Sequence, residues 1–120
     1  MKMKPAIPVI RSFEESKARE FWIDFLGFKV DWEHRFSEGM PLYMQISRGD
    51  CVIHLSEHHG DCCPGARIRI ETPDLDSYLD SLRASCYPSC KPGKAKKQPW
   101  GLREVDLTDP FGNRITLYSE

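Results

Sequence analysis

No apolar run in this sequence approaches the ~20 residues that a membrane-spanning helix needs. Charge of one sign is also missing. The chain has 17 Lys and Arg against 18 Asp and Glu, a formal net charge of −1, so no global field draws it to nucleic acid or to a membrane surface. Met1 to Pro8 holds Lys2 and Lys4 but no apolar stretch of signal-peptide length, and a cytoplasmic location is expected. There is no glycine-rich phosphate loop, because Gly49, Gly60 and Gly65 are isolated turn glycines. A nucleophile elbow of the G-x-S-x-G kind is absent too. The cysteines do not form an even, regularly spaced set. Cys51, Cys62, Cys63, Cys86 and Cys90 are five, and Cys86 and Cys90 lack the redox spacing, so reduced thiols are expected. The run His54, His58, His59, Cys62, Cys63 has zinc-ligand types but neither finger nor ribbon spacing, and reads as a polar linker.

With 120 residues, 40% of them hydrophobic, the chain suits one domain spanning residues 1–120. Ala6 to Arg11 reads as a strand, which Pro5 and Pro8 confine to an edge or a crossing arm. Ser12 and Glu15 have capping-box spacing. Ala18, Phe21, Trp22, Phe25 and Leu26 then follow the spacing of one helix face, and Gly27 is the stop. Strands are predicted over 28–36, 42–48 and 51–56.

The same order returns. Residues 66–71 read as a strand. Thr72 and Pro73 look like a helix cap and first position, and Leu75, Tyr78, Leu79 and Leu82 supply the apolar face. A Lys- and Pro-rich loop over 88–98 leads to strands over 102–108 and 114–119, joined by an Asp109–Asn113 turn. Lys91 to Lys97 reads as a solvated basic loop; with only Trp100 nearby for stacking, no nucleic-acid partner is expected. The chain therefore repeats a βαβββ unit at a spacing of roughly 60 residues. The modules are expected at 5–57 and 66–120, with 58–65 as linker.

Three segments, taken with Ala6-Ile7-Pro8-Val9-Ile10, carry a family resemblance: Glu20-Phe21-Trp22-Ile23-Asp24-Phe25-Leu26-Gly27-Phe28, then Gln98-Pro99-Trp100-Gly101 with Arg103-Glu104, then Asp109-Pro110-Phe111-Gly112-Asn113. Together they resemble the vicinal-oxygen-chelate superfamily of glyoxalases, dioxygenases and bleomycin-resistance proteins, and most of all its bleomycin-resistance branch. The resemblance implies an α+β fold in which two tandem βαβββ modules curl into half-barrels and line a groove. It also implies a homodimer with grooves at or near the subunit interface, and an N-terminal arm able to cross to the partner.

Enzymes of that superfamily hold a divalent metal in the groove. The corresponding positions here are Ile7, His54, Ala66 and Thr116, of which only His54 is a good ligand. A catalytic metal normally takes about three protein ligands, so no metal, no cofactor and no catalytic residue are expected. A groove without a metal set but with aromatic walls reads as a binding site. The candidate ligand contacts are Trp32, Phe36, His54, Trp100, Gly101 and Arg103. Asp31, Glu33 and Glu38 are expected to face the cationic parts of a ligand. The resemblance points to sequestration of a bleomycin-type glycopeptide without turnover. The alternatives are a metal-dependent enzyme of the same superfamily and a binder of another small aromatic molecule.

Overall fold

Apolar and polar side chains alternate along residues 43–56, and the computed structural model, which describes residues 1–120, turns that alternation into the two faces of a sheet. Its strands are β1 (Val9–Arg11), β2 (Lys29–His34), β3 (Tyr43–Arg48) and β4 (Cys51–Ser56), in the spatial order β1-β4-β3-β2. A second sheet holds β5 (Arg67–Glu71), β6 (Lys96–Lys97), β7 (Arg103–Thr108) and β8 (Arg114–Ser119), in the equivalent order β5-β8-β7-β6. In each, the first strand lies parallel to the last, and the remaining pairs are antiparallel. The fold is thus α+β, with two open half-barrels, and each half follows the βαβββ order. No helix is long and apolar enough to cross a membrane. All five cysteines are free thiols.

Helix α1 (Glu15–Ala18) runs directly into a π-helical segment, Arg19–Phe25. The face read from the sequence is the buried one: Ala18, Phe21, Trp22, Phe25 and Leu26 all lie in the core. The wider π winding appears as a Leu26 N–H to Phe21 carbonyl bond, 2.9 Å long. Gly27 ends the segment at φ 84°. Helix α2 (Leu75–Arg83) buries Leu75, Leu79 and Leu82.

Two helix starts differ from expectation. Ser12 does not cap α1. Its N–H continues the β1 ladder by donating to Ser56 O at 2.9 Å, and Glu15 instead pairs with Arg19 and Arg35. Thr72 likewise stays with the sheet, its N–H donating to Tyr118 O at 2.7 Å, and α2 starts three residues later, at Leu75. The Ser12 N–H that a capping box would offer to Glu15 is thus taken by the ladder, and the Thr72 hydroxyl donates to Ile70 O at 3.2 Å.

Both halves feed one core of 18 buried residues. The turn Asp109–Asn113 clasps them together. Buried Asp109 accepts from the N–H groups of Phe111 and Asn113 (both 2.9 Å), from Asn113 Nδ2 (2.8 Å) and from Trp22 Nε1 (3.3 Å). Asn113 Nδ2 also donates to Arg11 O at 2.8 Å. Two segments that carried the family resemblance therefore meet in space, the first helix and the Asp-Pro-Phe-Gly-Asn turn.

Candidate functional site

Side chains of β2, β3 and β4 that point away from the helices form the first wall. A bulge at Asp31, between the paired residues Val30 and Trp32, shifts the register so that Trp32 lies opposite Gln45 on this face. Trp32 stacks on Tyr43, with centroids 6.0 Å apart and planes 12° apart, and meets His54 edge-on at 5.3 Å. A hydrogen-bonded chain runs beneath. Asp31 accepts from Gln45 Nε2 and Ser47 Oγ, each at 3.0 Å. With the Gln45 amide nitrogen so committed, its oxygen accepts from His54 Nε2 at 2.9 Å, and His54 Nδ1 is left to accept from Tyr43 Oη at 2.6 Å. That is a neutral imidazole, and burial accordingly pushes the His54 pKa down. Gln45, then Ser47, hold the Asp31 carboxyl below its usual range.

The second wall comes from β5, β7 and β8. Glu104, 7% exposed, accepts from Arg69 through two bonds (3.2 and 2.7 Å) and from Trp100 Nε1 at 2.7 Å. Arg69, and after it Trp100, lower the Glu104 pKa. The Arg69 guanidinium also covers the Tyr118 ring at 4.8 Å. Next along β7, Asp106 accepts from Thr116 Oγ1 at 2.6 Å, and Arg67 reaches that same hydroxyl at 3.2 Å. A cavity of about 370 Å³ opens here, lined by Arg67, Lys94, Lys96, Trp100, Glu104 and Asp106 among others. Trp100 remains 62% exposed. Gly101, at φ 93°, forms the turn that presents it.

Of the residues expected in the site, Trp32 and His54 come together on the first wall, and Trp100 and Gly101 on the second. Phe36 lies beyond the end of β2, outside the strand expected to hold it, and is 76% exposed with its edge near His34 and His58. Arg103 points the other way. Alternation along β7 turns it toward α2, where it forms a bidentate pair with Asp76 (2.6 and 2.7 Å), and Glu104 takes the groove-facing place. Glu33 is bonded to Arg19 at 2.6 Å and Asp31 to its neighbours, so neither carboxylate is left unpartnered for a ligand cation. Tyr43, Gln45, Arg69 and Glu104 were missed. The period-2 pattern of Tyr43, Gln45 and Ser47 alongside His54 was the available signal.

The residues present do not fit the superfamily's metal. The ladder pairs Val9 with His54 and Arg69 with Thr116, so the β5 positions beside Thr116 are Arg67 and Arg69. Ala66 precedes the strand and packs on the core, one residue out of step with the groove face. A guanidinium thus stands where a ligand would be needed, Thr116 is hydrogen-bonded to it and to Asp106, and both His54 nitrogens are engaged. A larger cavity of about 670 Å³ lies elsewhere, between the modules. Two of its polar side chains serve the fold: Tyr78 Oη donates to Leu26 O at 2.5 Å, and Arg48 Nη1 donates to Leu26 O at 3.1 Å and Gly27 O at 3.2 Å.

A family model described as glyoxalase superfamily protein matches residues 1–120. Among curated proteins, none matches the sequence. Among solved structures, the chain is similar to a bleomycin-binding protein complexed with bleomycin, at 20% identity and a TM-score of 0.73, over 98% of this chain and 99% of that one. It is similar to a bleomycin resistance determinant encoded on the transposon Tn5, at 18% identity and a TM-score of 0.76, over 98% of each chain. It is also similar to TnmS3, an antibiotic binding protein from Streptomyces sp. CB03234, at 20% identity and a TM-score of 0.75, over 99% of this chain and 98% of that one. At these identities the likeness is one of fold.

Proposed function

This chain belongs to the glyoxalase superfamily, and from that premise we propose that it is a binding protein which sequesters a planar aromatic small molecule of the antibiotic kind and does not transform it. The observation that carries this reading is Trp100. Its indole N–H is tied to nearly buried Glu104, which fixes the ring, while 62% of the residue remains exposed beside the 370 Å³ cavity. An oriented aromatic face is a stacking platform, worth about 0.5–1.5 kcal/mol per good pair beyond area burial. Trp32, stacked on Tyr43, offers a second such face on the other wall.

Metal-dependent catalysis is disfavoured by chemistry at the groove. Arg67 and Thr116 replace metal donors, and His54 is held neutral with both nitrogens bonded. Antibiotic binding by two structural neighbours, as each is described, supports the ligand class. A bleomycin-type glycopeptide, with its flat bithiazole, is the first ligand to test. On this reading the protein works as a homodimer in the cytoplasm.

The test is a titration with bleomycin and with simple fused-ring aromatics, followed by tryptophan fluorescence and calorimetry, with the ligand recovered for mass spectrometry. Saturation near one ligand per chain with unaltered ligand supports the proposal. A chemically changed ligand, or no saturable binding by any flat aromatic, overturns it.

A further inference from the structure

We propose that the second-wall cavity selects planar aromatic ligands that carry a negative charge, with Lys94 and Lys96 as the specificity-determining cations. The inference rests on the binding reading above and narrows its ligand class at this wall, away from cationic glycopeptides and toward aromatic acids. Three cations line the cavity, Arg67, Lys94 and Lys96, beside two carboxylates, Glu104 and Asp106. Both carboxylates are already satisfied from within the sheet. Glu104 accepts two bonds from Arg69 and one from Trp100. Asp106 accepts the Thr116 hydroxyl at 2.6 Å and stands 3.8 Å from Arg67 and 3.7 Å from Arg114. Lys94 and Lys96 take part in no ion pair; the carboxylates of this wall are paired with arginines instead. With Arg67, Arg69 and Arg114 paired to the two acids, Lys94 and Lys96, the latter opposite Glu104 in the ladder, leave the cavity lining with a net positive charge.

The aromatic platform is placed to use them. Trp100 is anchored by its N–H and lines the same cavity as Lys94 and Lys96, so a flat ligand on its face lies in the cavity that the two lysines border. An acid group there meets two ammonium donors, and an amine meets repulsion. The opposing effect is attraction between a cationic ligand and the indole face. It acts at an exposed ring and competes with two unpaired like charges at the same mouth, so the acid is favoured. On the first wall Glu33 is paired with Arg19 and Asp31 with Lys29 at 3.8 Å, and exposed Glu38 lies in the loop beyond β2, in the other module from Lys94 and Lys96.

The experiment compares three probes with one ring system: 2-naphthoate, 2-naphthylmethanol and 2-naphthylmethylammonium. Binding to the full chain is followed by tryptophan fluorescence and calorimetry at low and at high salt. The expected order is naphthoate, then the alcohol, then the ammonium, with the two ions separated by at least about tenfold in Kd at low salt and the gap narrowing as salt screens it. The double variant Lys94→Glu/Lys96→Glu, with its fold checked by circular dichroism, is expected to invert the order. Because the salt series uses the parent protein, the test stands even if that variant folds poorly. Equal affinity for all three probes, or a preference for the ammonium, overturns the charge selection and leaves the binding reading intact. Failure of all three to bind overturns the charge selection, while saturable binding of bleomycin in the titration described above would still uphold the binding reading.

Discussion

Trp100 and Trp22 are the same residue type in opposite settings. Trp22 is fully buried and bonded to Asp109 across the two halves. Trp22→Ala is therefore expected to cost about 3–5 kcal/mol of stability, the range for emptying a buried aromatic site, as read by urea unfolding. Trp100→Ala makes no buried cavity, so its stability cost is expected to be small, whereas ligand affinity is expected to fall by about 1–3 kcal/mol, the scale of an aromatic anchor. If the variant binds an aromatic probe as tightly as the parent, Trp100 is not the platform. His54 gives a pH prediction. Its folded pKa lies below the 6.5 of the free imidazole because burial disfavours the charged ring. Below 6.5 the unfolded chain takes up a proton that the folded chain resists, so stability is full above that pH and falls as pH drops through the folded pKa. Urea unfolding of the parent and of His54→Gln across this window checks it. The parent is expected to lose the more stability, and identical profiles would remove His54 as a source of the pH dependence.

At the level of elements, the sequence's periodicities located what repeats and failed where two hydrogen-bond schemes compete. The apolar face from Ala18 to Leu26 was legible because burial imposes its spacing on any helical winding. The π turns were not, because a slightly wider helix leaves nearly the same residues facing the core. Arg67-Ile68-Arg69-Ile70 announced a strand with one wet face, yet its register against Thr116 came only from the ladder, and a one-residue slip exchanges groove and core faces. Trp100 was recognisable in its Pro- and Gly-flanked loop, and Glu104 beneath it was legible only through the period-2 pattern of Val105 and Leu107, which puts Arg103 on their core face and Glu104 on the opposite one. Gly27 turns a similar argument into a prediction. Its φ is 84°, and a Cβ there would stand 2.0 Å from Arg48 Nη1. Gly27→Ala is expected to destabilise by at least about 1–2 kcal/mol from the backbone alone, with more from displacing Arg48 off the Leu26 and Gly27 carbonyls. In an Arg48→Ala background the steric share should vanish and the backbone share remain. Unfolding measurements that show no cost for Gly27→Ala in either background would contradict this account of the turn.

The whole chain is a plate, 46 × 45 × 23 Å, with the aromatic and charged groove walls on sheet faces turned away from the helices. Each sheet is open, and the two walls are built by different modules, so within one chain Trp32 and His54 are not joined to Trp100. A second copy related by a twofold axis can close both sheets with one self-complementary contact. The edges match this demand. Strand β1 is three residues long; half-buried Pro8 before it still accepts from His54 N–H at 3.0 Å, and residues 1–7, with Pro5, are exposed. The protein is thus expected to be a homodimer in solution, with a mass by light scattering of about twice 13.9 kDa at micromolar concentration. Removal of residues 1–7 discriminates two forms of that dimer. If the N-terminal segment crosses to the partner, the shortened chain should dissociate at concentrations where the parent stays paired. If the sheets alone make the contact, it should remain dimeric. A parent that is monomeric at every concentration tested would mean that each wall binds alone, and the affinity of an aromatic probe would then depend on Trp100 but not on Trp32.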